Sequence, residues 1–207
     1  MNRKEREAVN SKVTNKLSYG LFVLTARDGD KDNGCIINTA SQVTTSPNRI
    51  IITVNKDNYT HDMIMNTKEF NVSILDESAT FDTFKQFGFQ SGRDADKFVE
   101  ITFERAENGI TYLTDECNGY ISGKVVETVD LVTHTLFIAD VTGGEVLSEN
   151  ASATYAYYHA NIKPSENSSK QKGYICTVCG YIYEGDSLPA DFICPICKHG
   201  AEDFKPL

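Results

Sequence analysis

Short runs of apolar residues alternating with polar ones, punctuated by Gly, Asn, Asp and Pro, fill the first three quarters of the chain. Period-two alternation places every second side chain on one face of a strand, so it reads as β-structure with one buried face. The pattern predicts strands over 21–26, 34–40, 49–54, 69–75, 98–104, 110–113, 120–130 and 133–141, and a ninth near 155–159. Val125–Val129, a short loop at 130–133 and Thr135–Ala139 read as an antiparallel hairpin. Eight or nine short strands of this kind predict a barrel. Two stretches switch period. Residues 59–66 space Tyr59, Met63 and Ile64 for a helix, with Thr60 expected at the N-cap and Asp62 in the first turn. Residues 79–87 repeat Phe81, Phe84 and Phe87 at i, i+3, which predicts a second short helix packed on the barrel.

From Asn161 to Lys172 the composition shifts to Ser, Asn, Lys and Pro, with almost no apolar content. This segment is expected to be a linker between a domain at 1–160 and a small one at 173–207. As a coil of that length it would span about 20 Å, which keeps the small domain close to the large one. The chain has 207 residues and a net charge of −9, of which −8 falls in residues 1–167, where 24 acidic side chains face 16 basic ones. That balance argues against nucleic acid and anionic membranes as partners. The charged start, with no apolar stretch of signal or membrane-spanning length, predicts a cytoplasmic protein. In a reducing compartment Cys35 and Cys117 are expected to be buried free thiols.

The tail carries the sharpest chemistry. Cys176-Thr-Val-Cys179 and Cys194-Pro-Ile-Cys197 are two Cys-x-x-Cys pairs. Each pair sets two sulfurs on one tight turn, and two facing turns make a tetrahedral four-sulfur site suited to zinc or a single iron. Gly180 supplies backbone freedom for the first knuckle. So small a segment lacks a core that could hold it folded, so metal binding is expected to supply most of its folding energy. The spacing does not choose the metal. The residues around the cysteines resemble rubredoxin: Tyr174-Ile175 before the first pair, Gly180-Tyr181-Ile182-Tyr183 after it, then Leu188-Pro189, Cys194-Pro195-Ile196-Cys197 and Phe204. With 14 residues between the inner cysteines, the segment resembles the clipped rubredoxin domain of rubrerythrins. That resemblance implies an iron cycling by one electron, packed by Tyr174, Tyr183, Phe192 and Phe204. A zinc-ribbon binding module would use the same cysteines. Four lysines against five acidic residues over 168–207 give it no basic stripe for a phosphate backbone.

The barrel shows no catalytic triad, Walker loop or Gly-x-Gly-x-x-Gly turn, which excludes a Rossmann-type nucleotide site. Polar residues instead crowd strand ends: Asn38-Thr39-Ala40-Ser41-Gln42 through Pro47, and Asn55-Lys56-Asp57-Asn58-Tyr59-Thr60. Hydroxyls, amides and a lysine suit a phosphate, and a polar turn with a helix cap would look the same. These runs, with Ser18-Tyr19-Gly20-Leu21, Glu69–Ser73 and Phe87-Gly88-Phe89-Gln90-Ser91-Gly92-Arg93-Asp94-Ala95-Asp96-Lys97-Phe98, resemble the flavin reductase family. The resemblance implies a split-barrel fold, mainly β with short helices, binding FMN at a homodimer interface. Carried onto this chain, it places Asn38, Thr39, Ala40, Ser41 and Gln42 near the phosphate and ring edge. Asn55, Lys56 and Thr60 would anchor the phosphate or ribityl chain, Ser91, Arg93 and Lys97 would line the cofactor or the partner subunit, and His159 would lie on the flavin side. For the Phe81, Phe84 and Phe87 series, core packing and a ring-stacking platform are both open.

Joined in this order, the two halves resemble the high-molecular-weight rubredoxins. The resemblance implies that NADH or NADPH reduces FMN, FMN reduces the iron, and the iron serves a redox acceptor such as a flavodiiron protein that reduces nitric oxide or dioxygen. Two rivals share the same residues: a flavin reductase that releases reduced flavin, and a carrier without catalysis that a separate oxidoreductase reduces.

Overall fold

The computed structural model describes residues 11–164 and 173–207, so the expected linker lies from residue 165 onward outside the described residues. A seven-stranded antiparallel sheet organises the first part. Its strands are β1 (Phe22–Asp28), β2 (Lys31–Ile37), β3 (Ala40–Thr45), β4 (Asn48–Asn55), β5 (Glu69–Leu75) and two long strands, Cys117–Asp130 and His134–Val146. Helices α1 (Tyr59–Thr67) and α2 (Phe81–Gly88) interrupt the series, and a two-stranded ribbon, β6 (Phe103–Arg105) with β7 (Thr111–Leu113), precedes the long strands, which are therefore β8 and β9. The order across the sheet is β2-β1-β5-β8-β9-β4-β3.

The sheet curls because one core draws on strands from both of its ends. Leu24 and Ala26 of β1, Cys35 and Ile37 of β2, Ile50, Ile52 and Val54 of β4, Phe70 and Val72 of β5 and Phe137 and Ala139 of β9 pack together with Met63 and Ile64 of α1. With β2 and β3 as the unjoined edges, this is a split barrel. A second core lies on the outer face: Leu21, Val23, Leu75, Phe84, Phe87, Phe98, Leu113 and Tyr158 cluster beneath α2. Neighbouring residues such as Val23 and Leu24 are both fully buried because β1 is covered on both sides.

Four expectations are corrected. The polar run at 38–47 contains β3, an edge strand whose side chains from Ser41 to Thr45 face solvent; exposure on both faces removes the apolar alternation that marks a strand. Residues 98–102 are turn and irregular chain, and pairing begins only at Phe103. The stretch 155–159 is helical: α3 (Tyr155–Tyr157) runs into a π-helical turn, Tyr158–Ile162, with the Thr154 hydroxyl accepting the Tyr157 N–H at the start. The N-cap of α1 is Asn58, and Thr60 lies inside the helix, fully buried.

The tail forms a three-stranded antiparallel sheet, β11-β10-β12, from β10 (Tyr174–Cys176), β11 (Ile182–Tyr183) and β12 (Phe204–Pro206). Its core is Cys176, Cys194 and Phe204, ringed by Tyr174, Tyr181, Tyr183 and Phe192. Phe192 stands edge-on to Phe204 at 5.3 Å and to Tyr183 at 4.8 Å.

Candidate metal centre and cofactor cavity

Strand β10 ends on Cys176, and the chain then turns so that Gly180, in the left-handed region at φ 82°, donates its N–H to the Cys176 carbonyl at 2.8 Å. The second knuckle repeats this turn. Lys198, at φ 61°, donates to the Cys194 carbonyl at 3.0 Å. A non-glycine residue therefore adopts there the conformation that Gly180 adopts without a steric penalty. The two turns bring all four sulfurs within 4.8 Å of one another, with Cys176–Cys197 and Cys179–Cys194 each at 3.5 Å. Tetrahedral coordination at a metal–sulfur distance of about 2.3 Å needs sulfur separations of ~3.8 Å, so the donor set fits one tetrahedral metal ion. Backbone N–H groups of Val178 and Cys179 point at the Cys176 sulfur, that of Tyr181 at Cys179 and that of His199 at Cys197. Such donors stabilise thiolate charge and tune a bound iron. Cys176 and Cys194 are fully buried, whereas Cys179 and Cys197 are half-buried.

Those two half-buried ligands open onto the barrel. A cavity of about 340 Å³ is lined by Leu21, Ile36, Phe84, Phe87, Phe89, Tyr155 and Tyr158 on its apolar side and by Asn38, Asn55 and Asn58 on its polar side, and Val178, Cys179, Ile196 and Cys197 complete its wall. An adjoining cavity of about 330 Å³ shares Cys35, Asn55, Asn58, Gly88, Phe89 and Ile196 with it and adds Asn33, Thr60, Ser91, Arg93, Lys97 and Lys198. The pair offers an aromatic slot beside a polar pocket that holds three cationic side chains and one carboxylate, Asp57. Within an acidic chain, this is a place for an aromatic ring carrying an anionic tail.

The polar pocket is built around β2. The Asn33 amide donates to the Thr60 hydroxyl at 3.0 Å. Gly92 of the Ser-Gly-Arg turn lies so close to Asn33 that a Cβ would fall inside its side-chain amide. Lys97 is buried, donating to the carbonyls of Gly34 at 2.9 Å and Phe87 at 3.0 Å. Burial pulls its ammonium below the usual lysine range, and the neighbouring Cys35 opposes that shift. Cys35 is pushed up by burial, against a Thr60 hydrogen bond and the Lys97 charge. Arg93 lies over the Tyr59 ring at 5.1 Å and donates to Asp62 at 2.6 Å.

Of the residues singled out in the sequence, the structure gathers Asn38, Asn55, Thr60, Ser91, Arg93 and Lys97 around these two cavities. Thr39 lies in a neighbouring hollow with Asn38, Asn55, Leu131 and His134. Ala40 packs against the inner core. Ser41 and Gln42 project from the edge strand, Gln42 donating to Asn48 at 2.9 Å. Lys56 pairs with both carboxylate oxygens of Asp130 at 2.8 Å and is not among the residues that line the two cavities. His159 stands edge-on to Tyr155 at 4.5 Å, with its residue surface largely exposed and outside both linings; partial desolvation of the ring first, and Lys163 second, lower its pKa. Phe84 and Phe87 serve both as core and as cavity wall. Asn58 and Phe89 also line these cavities, within runs singled out in the sequence, whereas sequence reasoning missed Asn33, Tyr155, Tyr158 and Lys198, whose shared location comes from tertiary folding.

A model of the flavin reductase like domain matches residues 14–166, and one of the rubredoxin-like domain of rubrerythrin matches residues 174–205. The High molecular weight rubredoxin of Moorella thermoacetica is 34% identical, over 96% of this chain and all of its own length. The chain belongs to the high-molecular-weight rubredoxin family. It joins a flavin reductase-like domain to a rubredoxin-like one with a four-cysteine cluster, so this chain is an electron-transfer flavoprotein whose cofactors are FMN and iron. The Ferric-chelate reductase (NAD(P)H) of Archaeoglobus fulgidus is 33% identical over 70% of this chain and 85% of its own. Among solved structures, the NADH:FAD oxidoreductase SgcE6 of Streptomyces globisporus superposes with a TM-score of 0.64 at 19% identity, covering 74% of this chain and 90% of that one; this likeness bears on the fold alone.

Proposed function

We propose that this chain passes electrons from NAD(P)H through FMN, bound in the barrel at 1–160, to an iron held by Cys176, Cys179, Cys194 and Cys197 in the small domain at 173–207. From there they go to a redox partner such as a flavodiiron protein reducing nitric oxide or dioxygen. The observation that carries this reading is the shared wall: Cys179 and Cys197 line the same cavity as Phe84, Phe87 and Tyr158. A ligand sulfur within the wall of a ring-sized slot leaves little distance for an electron to cross. The NAD(P)H in the name of the Archaeoglobus relative supports the donor.

A bound flavin would accept a hydride as an electron pair and a tetrathiolate iron would take electrons singly, so the pair converts two-electron input into one-electron output. The protein supplies position and charge. Lys97, Arg93 and Lys198 offer positive charge to an anionic tail, while Asn38, Asn55 and Thr60 orient the polar chain and Ser91 closes the pocket. Phe84, Phe87, Phe89 and Tyr158 exclude water from the ring slot. A homodimer belongs to the same reading. The β8–β9 hairpin exposes Val126, Val129, Leu131 and Val132 beside the hollow that holds Asn38 and Thr39, a surface that a second copy would cover. The setting is cytoplasmic; among the described residues no helix is long and apolar enough to cross a membrane.

The deciding experiment is an anaerobic titration of protein carrying one FMN and one iron per chain. NADH or NADPH should bleach the flavin and then the ferric-thiolate absorbance. Flavin bleaching with the iron left oxidised would refute internal transfer. If both pyridine nucleotides are inert while a separate reductase bleaches both centres, the chain is a carrier without catalysis.

A further inference from the structure

The knuckles that hold the metal are also the closing wall of the flavin cavities. Ile196 lines both cavities, Val178 lines the aromatic one, and Pro195 and Lys198 the polar one. Lys163, at the end of the barrel's last helical turn, lies so close to Gly180 that a Cβ there would fall against its side-chain carbons. The contact is therefore a fitted surface, with the one residue type that lets the lysine stem lie flat on the knuckle. Of the four ligands, only the half-buried Cys179 and Cys197 line the slot; Cys176 and Cys194 face the interior of the small domain.

Two geometric requirements conflict with this closed arrangement. Hydride transfer needs the nicotinamide stacked on the reacting ring at about 3–3.5 Å, which takes open space over the slot. Delivery to an external protein needs an exposed edge of the metal site, and its two accessible sulfurs here face inward.

We propose that the metal domain of each chain docks on its own flavin cavity, Cys179 and Cys197 inward, to be reduced, and lifts off both to admit the nicotinamide and to meet the acceptor. This rests on the functional reading above and adds an obligatory alternation to it. The balance fixes its count. One NADH and two ferric ions give NAD+, one proton and two ferrous ions, so each hydride requires two docking rounds, each carrying one electron, and the proton leaves to solvent.

The test uses the full chain with Ile196→Asp, which places a carboxylate in the apolar wall without touching a ligand, and Val178→Asp as a second variant. In zinc-loaded, FMN-bound protein, acrylamide quenching of flavin fluorescence should rise at least threefold in both. In iron-loaded protein with an unaltered ferric spectrum, flavin reduction by NADH should be equal or faster, while flavin-to-iron transfer slows tenfold or more. Unchanged quenching together with unchanged iron reduction in both variants would overturn the proposal. Restored transfer in heterodimers that pair an iron-free Cys176→Ser chain with a flavin-free chain would overturn docking on the same chain. If NADH leaves the flavin oxidised in every protein, the NAD(P)H reading falls while the quenching comparison still decides docking.

Discussion

Replacing Phe87 with Ala tests whether the cavity wall and the outer core are one structure. The ring is 1% exposed, stands edge-on to Phe98 at 5.6 Å and faces the aromatic slot. Large-to-small changes at such positions cost about 3–5 kcal/mol, part of it the loss of an aromatic pair worth roughly 0.5–1.5 kcal/mol. We expect about 4 kcal/mol, a large share of the ~5–15 kcal/mol that holds a domain folded. With a urea slope of about 2 kcal/mol per molar, the midpoint should fall by about 2 M. The assay is urea unfolding of zinc-loaded, flavin-free protein followed by far-UV circular dichroism, which the seven-stranded sheet dominates. Gly34 supplies an internal check, because a Cβ there would lie 3.0 and 3.1 Å from Phe87 ring carbons and 3.2 Å from the Leu24 carbonyl. Gly34→Ala alone should cost about 1–3 kcal/mol by overpacking. With the ring gone, two of those three contacts disappear, so the double variant should be more stable than additivity predicts by at least about 1 kcal/mol. A cost below about 1.5 kcal/mol for Phe87→Ala, or a strictly additive cycle, would refute this account.

Cys194→Ser, at a fully buried ligand, should remove most of the iron and unfold residues 173–207 while the barrel keeps its circular dichroism; a native iron spectrum would count against the ligand set. Asp76 is buried, and although burial alone would raise its pKa, hydrogen bonds from Ser78 and Asn150 hold it below the usual carboxylate value of 3.8. Its contribution is therefore present above about pH 4 and lost as pH falls through the lowered value; Asp76→Asn should lower neutral-pH stability and flatten the acid limb of a melting-temperature profile. Burial, helped by Asp76, Glu116 and Asp115, pushes the Cys117 thiol up to about 12, and burial raises Cys35, so iodoacetamide at pH 8 should leave both unmodified in folded protein within the time that labels the metal-free tail. Lys97→Met should weaken FMN binding at least tenfold by isothermal titration while riboflavin, which lacks the phosphate, binds nearly as before; equal losses for both would place Lys97 away from the anionic tail.

Local signals were readable and long-range ones were not. The strand at 69–75 coincides with β5, and the hairpin closing at 131–133 joins β8 to β9, because alternation and turn residues act between near neighbours. The four sulfurs converge as the two pairs implied, since each pair specifies its own turn. Strand β3 escaped notice because its pairing with β4 is made by backbone groups, and its exposed side chains carry no apolar period. The aromatic run at 155–159 has the composition of a strand, yet Tyr158 and Tyr155 meet Phe84 and Tyr19 by coiling into a helical turn, so tertiary packing overrides propensity.

The cavity shows most clearly what composition conceals. A chain at −9 presents Arg93, Lys97 and Lys198 in one pocket, drawn from the 91–98 turn and from the second knuckle, elements about 100 residues apart. Averaged charge argues against an extended polyanion as partner, since such a surface needs a stripe of cations. It carried no information about a single phosphate, which needs only a few donors and a charge held in place. In the proposed site Lys97 would meet that need at the expense of desolvation, and its two carbonyl partners, Gly34 and Phe87, belong to the strand and helix that also line the aromatic cavity. The same pair of elements thus fixes the anionic and the aromatic ends of the site. A shift of α2 relative to β2 would disturb both ends together, so a cofactor seated there should stabilise that packing in proportion to its own binding free energy.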